Sequence, residues 1–490
     1  VQNRTLPQKS FRIVGMHNRM RQPSAVDLRW YAFGMGEGIQ NRRNGTWAAS
    51  ALFRRANKNW HAKICALGLA LVLSLGWPME SAAYAVLAHE AIVDSAWDTT
   101  IRPMLVKRFP NATKEQLKEA HGYAYGGAII QDMGYYPHGN KFFSNLTHYV
   151  RSGDFVEALL RDAEAANDLD AYAFALGALS HYAADNDGHL IGVNLAVPVL
   201  YPKLRKKYGN VVTYDQNPLA HVKTEFGFDV LEVAQGRYAP DSYHDFIGFQ
   251  VSKPLLEQAF RETYGLDLKS VLTDEDRVLG SYRHDVSQLL PKATRIAWSL
   301  KKNDIMKDQP GITKRKFLYN LSRASYQKNW GKTYDPPTFE ERFLAFLTRL
   351  IPKIGPLKVL QLRAPTPATE KMFEASFNAA LDRYKKLLGK VDSDQLHLTN
   401  YNFDTGELSA PGQYPLNDET HAMLLEALAK QNFSGVSPQL RADLLEFYGH
   451  PDAPDATKKK AKEWVKVQDD VEELKKTAPQ NAVGNAGGGN

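Results

Sequence analysis

Two pairs of residues have the types and the spacing to grip a metal ion. They are His181 with Asp185, inside ALSHYAADNDGH (178–189), and His221 with Glu225, inside HVKTE. Each pair puts a carboxylate four residues after a histidine, which on an α-helix brings the two side chains to one face with Cβ atoms about 5–6 Å apart. Alone the pattern is weak. With 54 acidic residues in 490, the 14 histidines should yield roughly 1.5 such matches by chance. Its weight has to come from neighbours of the same chemical type.

Those neighbours fall in the order His89, Asp132, His148, His181, Asp185, His189, His221, Glu225. Several sit inside otherwise apolar helical stretches, as His181 does in FALGALSHYA, and a buried ionisable group there needs a partner or a metal to offset its desolvation. For any one of them a hydrogen-bonded core histidine is the simpler reading. For all eight together a metal centre is the better one. His148 competes with His138 and His121 for its place and is preferred because it lies inside the apolar run NLTHYV. Asp132 has a competing structural role, capping the turn before Gly134. The following Tyr135, Tyr136, Phe142 and Phe143 could line a head-group or base pocket, although such clusters usually belong to the core.

This order and the local sequences HYAAD and HVKTE resemble the zinc-dependent phospholipase C and single-strand nuclease superfamily, with its HYxGD and HVKFE segments, over about residues 84–235. The resemblance implies an all-α domain with three zinc ions on the floor of a cleft. One ion would take Asp132, His148, His181 and Asp185, and a second His189, His221 and Glu225. The third would take His89, the shared carboxylate of Asp185, and the free amine and carbonyl of a mature N-terminal Tyr84. It also implies hydrolysis of a phosphodiester by a zinc-activated water, with Asp132 holding or deprotonating that water. The chain departs from the family in having Tyr84 where the nuclease branch has Trp. Asp185 and His189 stand four residues apart instead of six, and a long insertion containing VPVLYPKLRKKYG separates His189 from His221.

The elements that must position these residues read as helix after helix. Thr113 with Gln116 forms a capping box ahead of KEQLKEAHGYAYGGAII. Asp170 is a plausible cap for DAYAFALGALSHYAAD. Asn217 followed by Pro218 opens LAHVKTEFGFDVLEVAQ, which Gly236 closes. Further helices follow residue 300, among them the amphipathic FEERFLAFLTRLIPKI, which could touch a membrane surface but fits a bundle helix better. Residues 391–416 read as loop with room for a small hairpin, and a charged helix is expected near 457–476. The fold class read from these elements is all-α, and the resemblance implies a helical bundle of the phospholipase C and nuclease type with additional C-terminal helices.

The net charge of +7 is unevenly spread: residues 1–83 hold 12 Lys and Arg against three acids, leaving 49 bases and 51 acids in the body. A nearly neutral body gives no electrostatic case for long nucleic acids. The single cysteine, Cys65, leaves the body without thiols, so a metal there must sit on His, Asp, Glu or backbone groups. Arg54, Arg55, Lys58 and Lys63 precede the apolar run Ile64–Trp77, which suits a signal-peptide core better than a membrane span of ~20 residues. Cleavage before Tyr84 is expected, and with it a secreted or periplasmic protein. The expected organisation is a disordered or misassigned upstream segment (1–60), a signal peptide (61–83), a catalytic domain (84–300), a C-terminal helical region (301–476) and a disordered tail (477–490).

The expected substrate is a phospholipid or another phosphodiester, with peripheral membrane contact possible. Two enzyme alternatives are a nuclease or nucleotidase of the same superfamily, and a phosphohydrolase built on the His244-Asp245 and His284-Asp285 pairs. A non-catalytic alternative is a metal-stabilised helical protein that binds membrane or a partner.

Overall fold

The computed structural model describes residues 85–136, 138–235, 249–284, 365–450 and 461–477, with single positions 286, 306 and 363. The chain divides into two units, 1–69 and 70–490, and every described residue belongs to the second. The upstream segment, the leader, Tyr84, Gly236, the FEERFLAFLTRLIPKI stretch, the His244-Asp245 pair, Asp285 and the tail after Thr477 lie outside the described residues.

The described fold is all-α. Helix α1 (Val86–Ala96) runs through a π-helical turn, Trp97–Ile101, into α2 (Arg102–Arg108). Helix α3 (Lys114–Ile130) begins at the Thr113–Gln116 capping box expected from sequence and ends in a 3-10 turn, Met133–Tyr135. Then come α4 (Lys141–Tyr149), α5 (Ser152–Ala166) and α6 (Leu169–Asp187). The side chain that caps α6 is Asp168, which accepts the amide of Ala171 at 2.7 Å; Asp170 instead falls in the first turn. Helix α6 continues through a second π turn, Gly188–Val193, into α7 (Asn194–Leu200), and α8 (Pro202–Tyr208) follows. Helix α9 (Pro218–Gln235) starts as expected, with Asn217 Oδ1 accepting the amide of Ala220 at 2.9 Å. Helices α10 (Lys253–Tyr264), α11 (Leu268–Val271) and α12 (Glu275–His284) complete the first half.

The second half contributes α13 (Pro367–Asp392), α14 (Pro415–Lys430), α15 (Pro438–Gly449) and the charged α16 (Ala461–Lys476). The only strands among the described residues are β1 (Tyr401–Asn402) and β2 (Glu407–Leu408), an antiparallel hairpin pairing Tyr401 with Leu408 and Asn402 with Glu407.

At the centre, α3 and α6 touch through their backbones. A Cβ on Gly127 would stand 1.9 Å from the Phe174 carbonyl oxygen, and one on Gly177 would stand 2.0 Å from that of Ala124. Only glycine permits this approach, and it brings the C-terminal half of α3 against the middle of α6. One apolar core extends from Val86 to Leu474, taking in Phe174 and Leu179 of α6 together with Phe373, Tyr384 and Leu388 of α13. Helix α13 lies along α6: the Tyr384 hydroxyl donates to the Leu176 carbonyl at 2.9 Å, and Arg383 grips Asp187 through two 2.8 Å contacts. Residues on either side of position 300 thus share one core.

Candidate metal centre

Four elements deliver side chains to one buried space. His89 comes from α1, Asp132 from the end of α3, His148 from α4, and His181 and Asp185 from α6. All five are at most 2% exposed. The i, i+4 geometry holds, with His181 Nε2 at 3.2 Å from Asp185 Oδ2. His148 Nε2 stands 3.3 Å from both Asp132 Oδ1 and Asp185 Oδ2, and His89 Nε2 lies 3.4 Å from Asp185 Oδ1 and 3.8 Å from Asp132 Oδ2. Two overlapping sets, His89–Asp132–His181 and His148–His181–Asp185, each bring their ligand atoms within 4.8 Å of one another.

Backbone carbonyls set the ring orientations. His181 Nδ1–H donates to the carbonyl of Ala128 at 2.8 Å, one of the carbonyls that the end of α3 leaves without an intrahelical donor. His148 Nδ1–H donates to Ser144 of its own helix at 2.7 Å. Both Nε2 atoms are thereby directed inward, only 3.3 Å apart, and two imidazole lone pairs at that distance need a proton or a metal between them. The oxygens of Asp132 and Asp185 are buried and face the ring nitrogens of these histidines. Histidines tied by the far nitrogen and facing buried carboxylates are what a cation site requires, so the residues fit zinc. Asp132 makes no capping hydrogen bond to the 3-10 turn, and its carboxylate faces the cluster instead.

The protonation pattern has the same cause. Burial pulls the His148 imidazole down, but the hydrogen bonds and charges of Asp132 and Asp185 more than reverse this and hold it at about 9. Burial also acts against ionised Asp185, yet His181 and His148 keep it well below the usual carboxylate range. Burial dominates at Asp132, which is pushed up. His89 is held well below its usual value by burial and by His181.

A second cluster lies beside the first. His221 Nδ1 is 3.1 Å from Glu225 Oε1, while Nε2 faces Asn194 Oδ1 at 2.7 Å and the Val212 carbonyl at 3.1 Å. Burial, reinforced by nearby carboxylates, raises Glu225 well above the usual range. His189 sits on the π turn, and the break in helical register there separates it from the His181–Asp185 pair. Its partner is Asp404, whose Oδ1 lies 2.5 Å from His189 Nδ1. His189, His221 and Asp404 bring ligand atoms within 4.8 Å of one another. The set expected from sequence for this site was His189, His221 and Glu225; the structure groups the two histidines with Asp404 of the hairpin turn, while Glu225 contacts His221 from the other side.

Of the other candidates, His121 lies 3.0 Å from Asp94 and stacks on Trp97, and exposed His138 is not among the grouped residues. Tyr136, Phe142 and Phe143 belong to the core. Tyr135 lies against the centre, its ring centroid 5.6 Å from that of His148 and its hydroxyl donating to Asn145 Oδ1 at 3.0 Å. Asp404 escaped sequence reasoning because it lies far from every helical motif. The signal for it was NFDTG, an Asx-turn sequence closed by glycine: Asn402 Oδ1 accepts the Asp404 amide at 2.9 Å, and Gly406 has a φ of +69°.

Comparison with curated proteins and with solved structures gave no match. The family model described as zinc dependent phospholipase C matches residues 88–273. That stretch contains every grouped residue except Asp404, and over it the chain is similar to the zinc-dependent phospholipase C family.

Proposed function

We propose that this chain is an exported phosphoric ester hydrolase of the phospholipase C type, binding three zinc ions and cleaving a phosphodiester. The observation that carries the reading is the convergence of His89, Asp132, His148, His181 and Asp185 on one buried space, with both carboxylates facing the histidine nitrogens. A bound zinc ion lowers the pKa of its water to about 7 and neutralises charge building on phosphoryl oxygens.

The chain's own residues supply the rest. Asp185 presents one oxygen to His89 and the other to His148 and His181, so it would be the carboxylate shared by two ions when these are bound. Asp132 orients the attacking water and accepts its proton, a role suited to a carboxyl pushed up by burial. His189, His221 and Glu225 serve the remaining ion, and a mature N-terminal Tyr84 completes the site of His89. Tyr135 offers an aromatic wall beside His148.

A phospholipid is the preferred substrate, reached from the secreted or periplasmic side with peripheral membrane contact. The near-neutral body argues against long nucleic acids. No described helix is long and apolar enough to cross a membrane.

The test is to purify residues 84–490, count bound zinc, and assay phosphatidylcholine, single-stranded DNA and nucleotide monoesters in parallel. Two or more zinc ions with turnover of phosphatidylcholine support the reading. Fewer than two ions sink it. Full zinc with turnover of DNA or monoesters alone moves the function to the nuclease branch, and full zinc with no turnover favours a metal-stabilised binding protein.

A further inference from the structure

The family match ends at residue 273, yet the second cluster is completed from residue 404. The turn between β1 and β2 is fastened to the first half at several points. The Phe403 amide donates to the His148 carbonyl at 3.1 Å, and Asn194 Nδ2 donates to the Asp404 carbonyl at 2.6 Å. Before it, the Tyr182 hydroxyl donates to the Thr399 carbonyl at 2.9 Å, and the Ser152 hydroxyl donates to the Tyr401 carbonyl at 2.6 Å. The Asp404 side chain is fully buried. Its Oδ2 accepts from the Tyr214 amide at 2.9 Å and the Tyr414 hydroxyl at 2.6 Å, and its Oδ1 faces His189 Nδ1 at 2.5 Å.

With Nδ1 so engaged, His189 Nε2 is buried and has no hydrogen-bond partner. His221 is held in a related way. Its Nε2–H donates to Asn194 Oδ1, and Asn194 is tied through its amide to the same turn. Metal-binding histidines commonly donate their other ring N–H to a carboxylate or amide oxygen, which fixes the tautomer and aims the free nitrogen. We propose that Asp404 is the positioning carboxylate of the second metal site: it holds His189 with Nδ1 protonated and Nε2 presented to the ion. The C-terminal hairpin is then a working part of the metal centre. Because both Asp404 oxygens already accept hydrogen bonds, it acts through His189 and is not itself a ligand.

The inference rests on the zinc-dependent reading above, and the experiment separates the two. Zinc content and affinity are measured on residues 84–490 for the wild type, His189→Ala, Asp404→Ala and Asp404→Asn, with competing chelators and elemental analysis. Histidine ring ¹⁵N–¹H spectra of the zinc-loaded wild type report which nitrogen of His189 is protonated. The expected result is Nδ1–H on His189, with one site weakened about 10–100-fold in Asp404→Ala but still filled at saturating zinc. His189→Ala should lose that ion altogether. Unchanged affinity in the Asp404 variants, loss as complete as in His189→Ala, or zinc on Nδ1 of His189 each overturns the proposal. If Asp404→Ala does not fold, the spectra and Asp404→Asn decide by the same criteria. A wild type that binds no zinc sinks the functional reading and this inference together, whereas zinc binding indifferent to Asp404 sinks only this one.

Discussion

His181 donates its Nδ1–H to the Ala128 carbonyl across 2.8 Å, so the direction of its other nitrogen depends on how closely α6 lies against the end of α3. That closeness rests on Gly127 and Gly177. Gly177→Ala would put a methyl 2.0 Å from the Ala124 oxygen, and the helices would have to part. We expect a loss of about 1–3 kcal/mol, as for other forced overpacking of a core, read by denaturant unfolding of the metal-free protein. Gly389→Ala in α13 is the control. Nothing lies within 4 Å of its added methyl, so the better helix former should leave stability equal or higher by up to about 1 kcal/mol.

Asp185→Asn should cost more than one zinc ion. Its two oxygens face different partners, His89 on one side and His148 with His181 on the other. An amide keeps the shape but loses the charge and one acceptor. Elemental analysis after dialysis is the measurement, and loss of a single ion would contradict the bridging role.

Much of this centre was legible in the sequence because helices translate spacing into direction. His181–Asp185 and His221–Glu225 meet as an i, i+4 rule says they should, and the Thr113 and Asn217 caps fix where two of the helices begin. The cap of α6 was misread because aspartates stand at both 168 and 170, and only the backbone conformation distinguishes them. Asp404 was not legible at all. Its contact with His189 spans 215 residues, and a turn residue carries no periodicity to announce which way it points. The π turn at Gly188–Val193 was not legible either, since i, i+4 reasoning assumes an unbroken α-helix, although the sequence placed His189 with His221 as the structure does.

Zinc affinity should rise with pH. In the metal-free protein His148 is held at about 9, above its ordinary value, so its proton stabilises the fold fully below pH ~6.5. That contribution fades as pH climbs through about 9. Zinc must displace the same proton to reach Nε2. Affinity for the first site should therefore increase at least about tenfold per pH unit up to that value and then flatten, with at least one proton released per ion bound. The lower bound arises because burial at His181 of the same site is likewise outweighed by Asp185 and Asp132, which push it up. Chelator competition between pH 6 and 10 together with calorimetry in buffers of different ionisation heat checks both halves, and pH-independent affinity would refute it.

A chain ending at residue 300 should fail to give a folded catalytic domain, although it contains the whole family match. Phe373 stacks on Phe228 of α9 at a centroid distance of 4.7 Å, and Tyr384 and Leu388 are fully buried in the shared core. Removing α13 would expose those surfaces and release Asp187 from Arg383 beside the π turn that carries His189. Losing the β1–β2 turn as well would strip Phe403 from its edge contacts with His148 and Tyr182. Helix content measured by far-ultraviolet circular dichroism should persist in part. The near-ultraviolet signal and cooperative thermal unfolding should be lost, as in a compact state without fixed packing. A truncated chain that unfolds cooperatively and binds the full complement of zinc would show instead that the second half merely decorates the first.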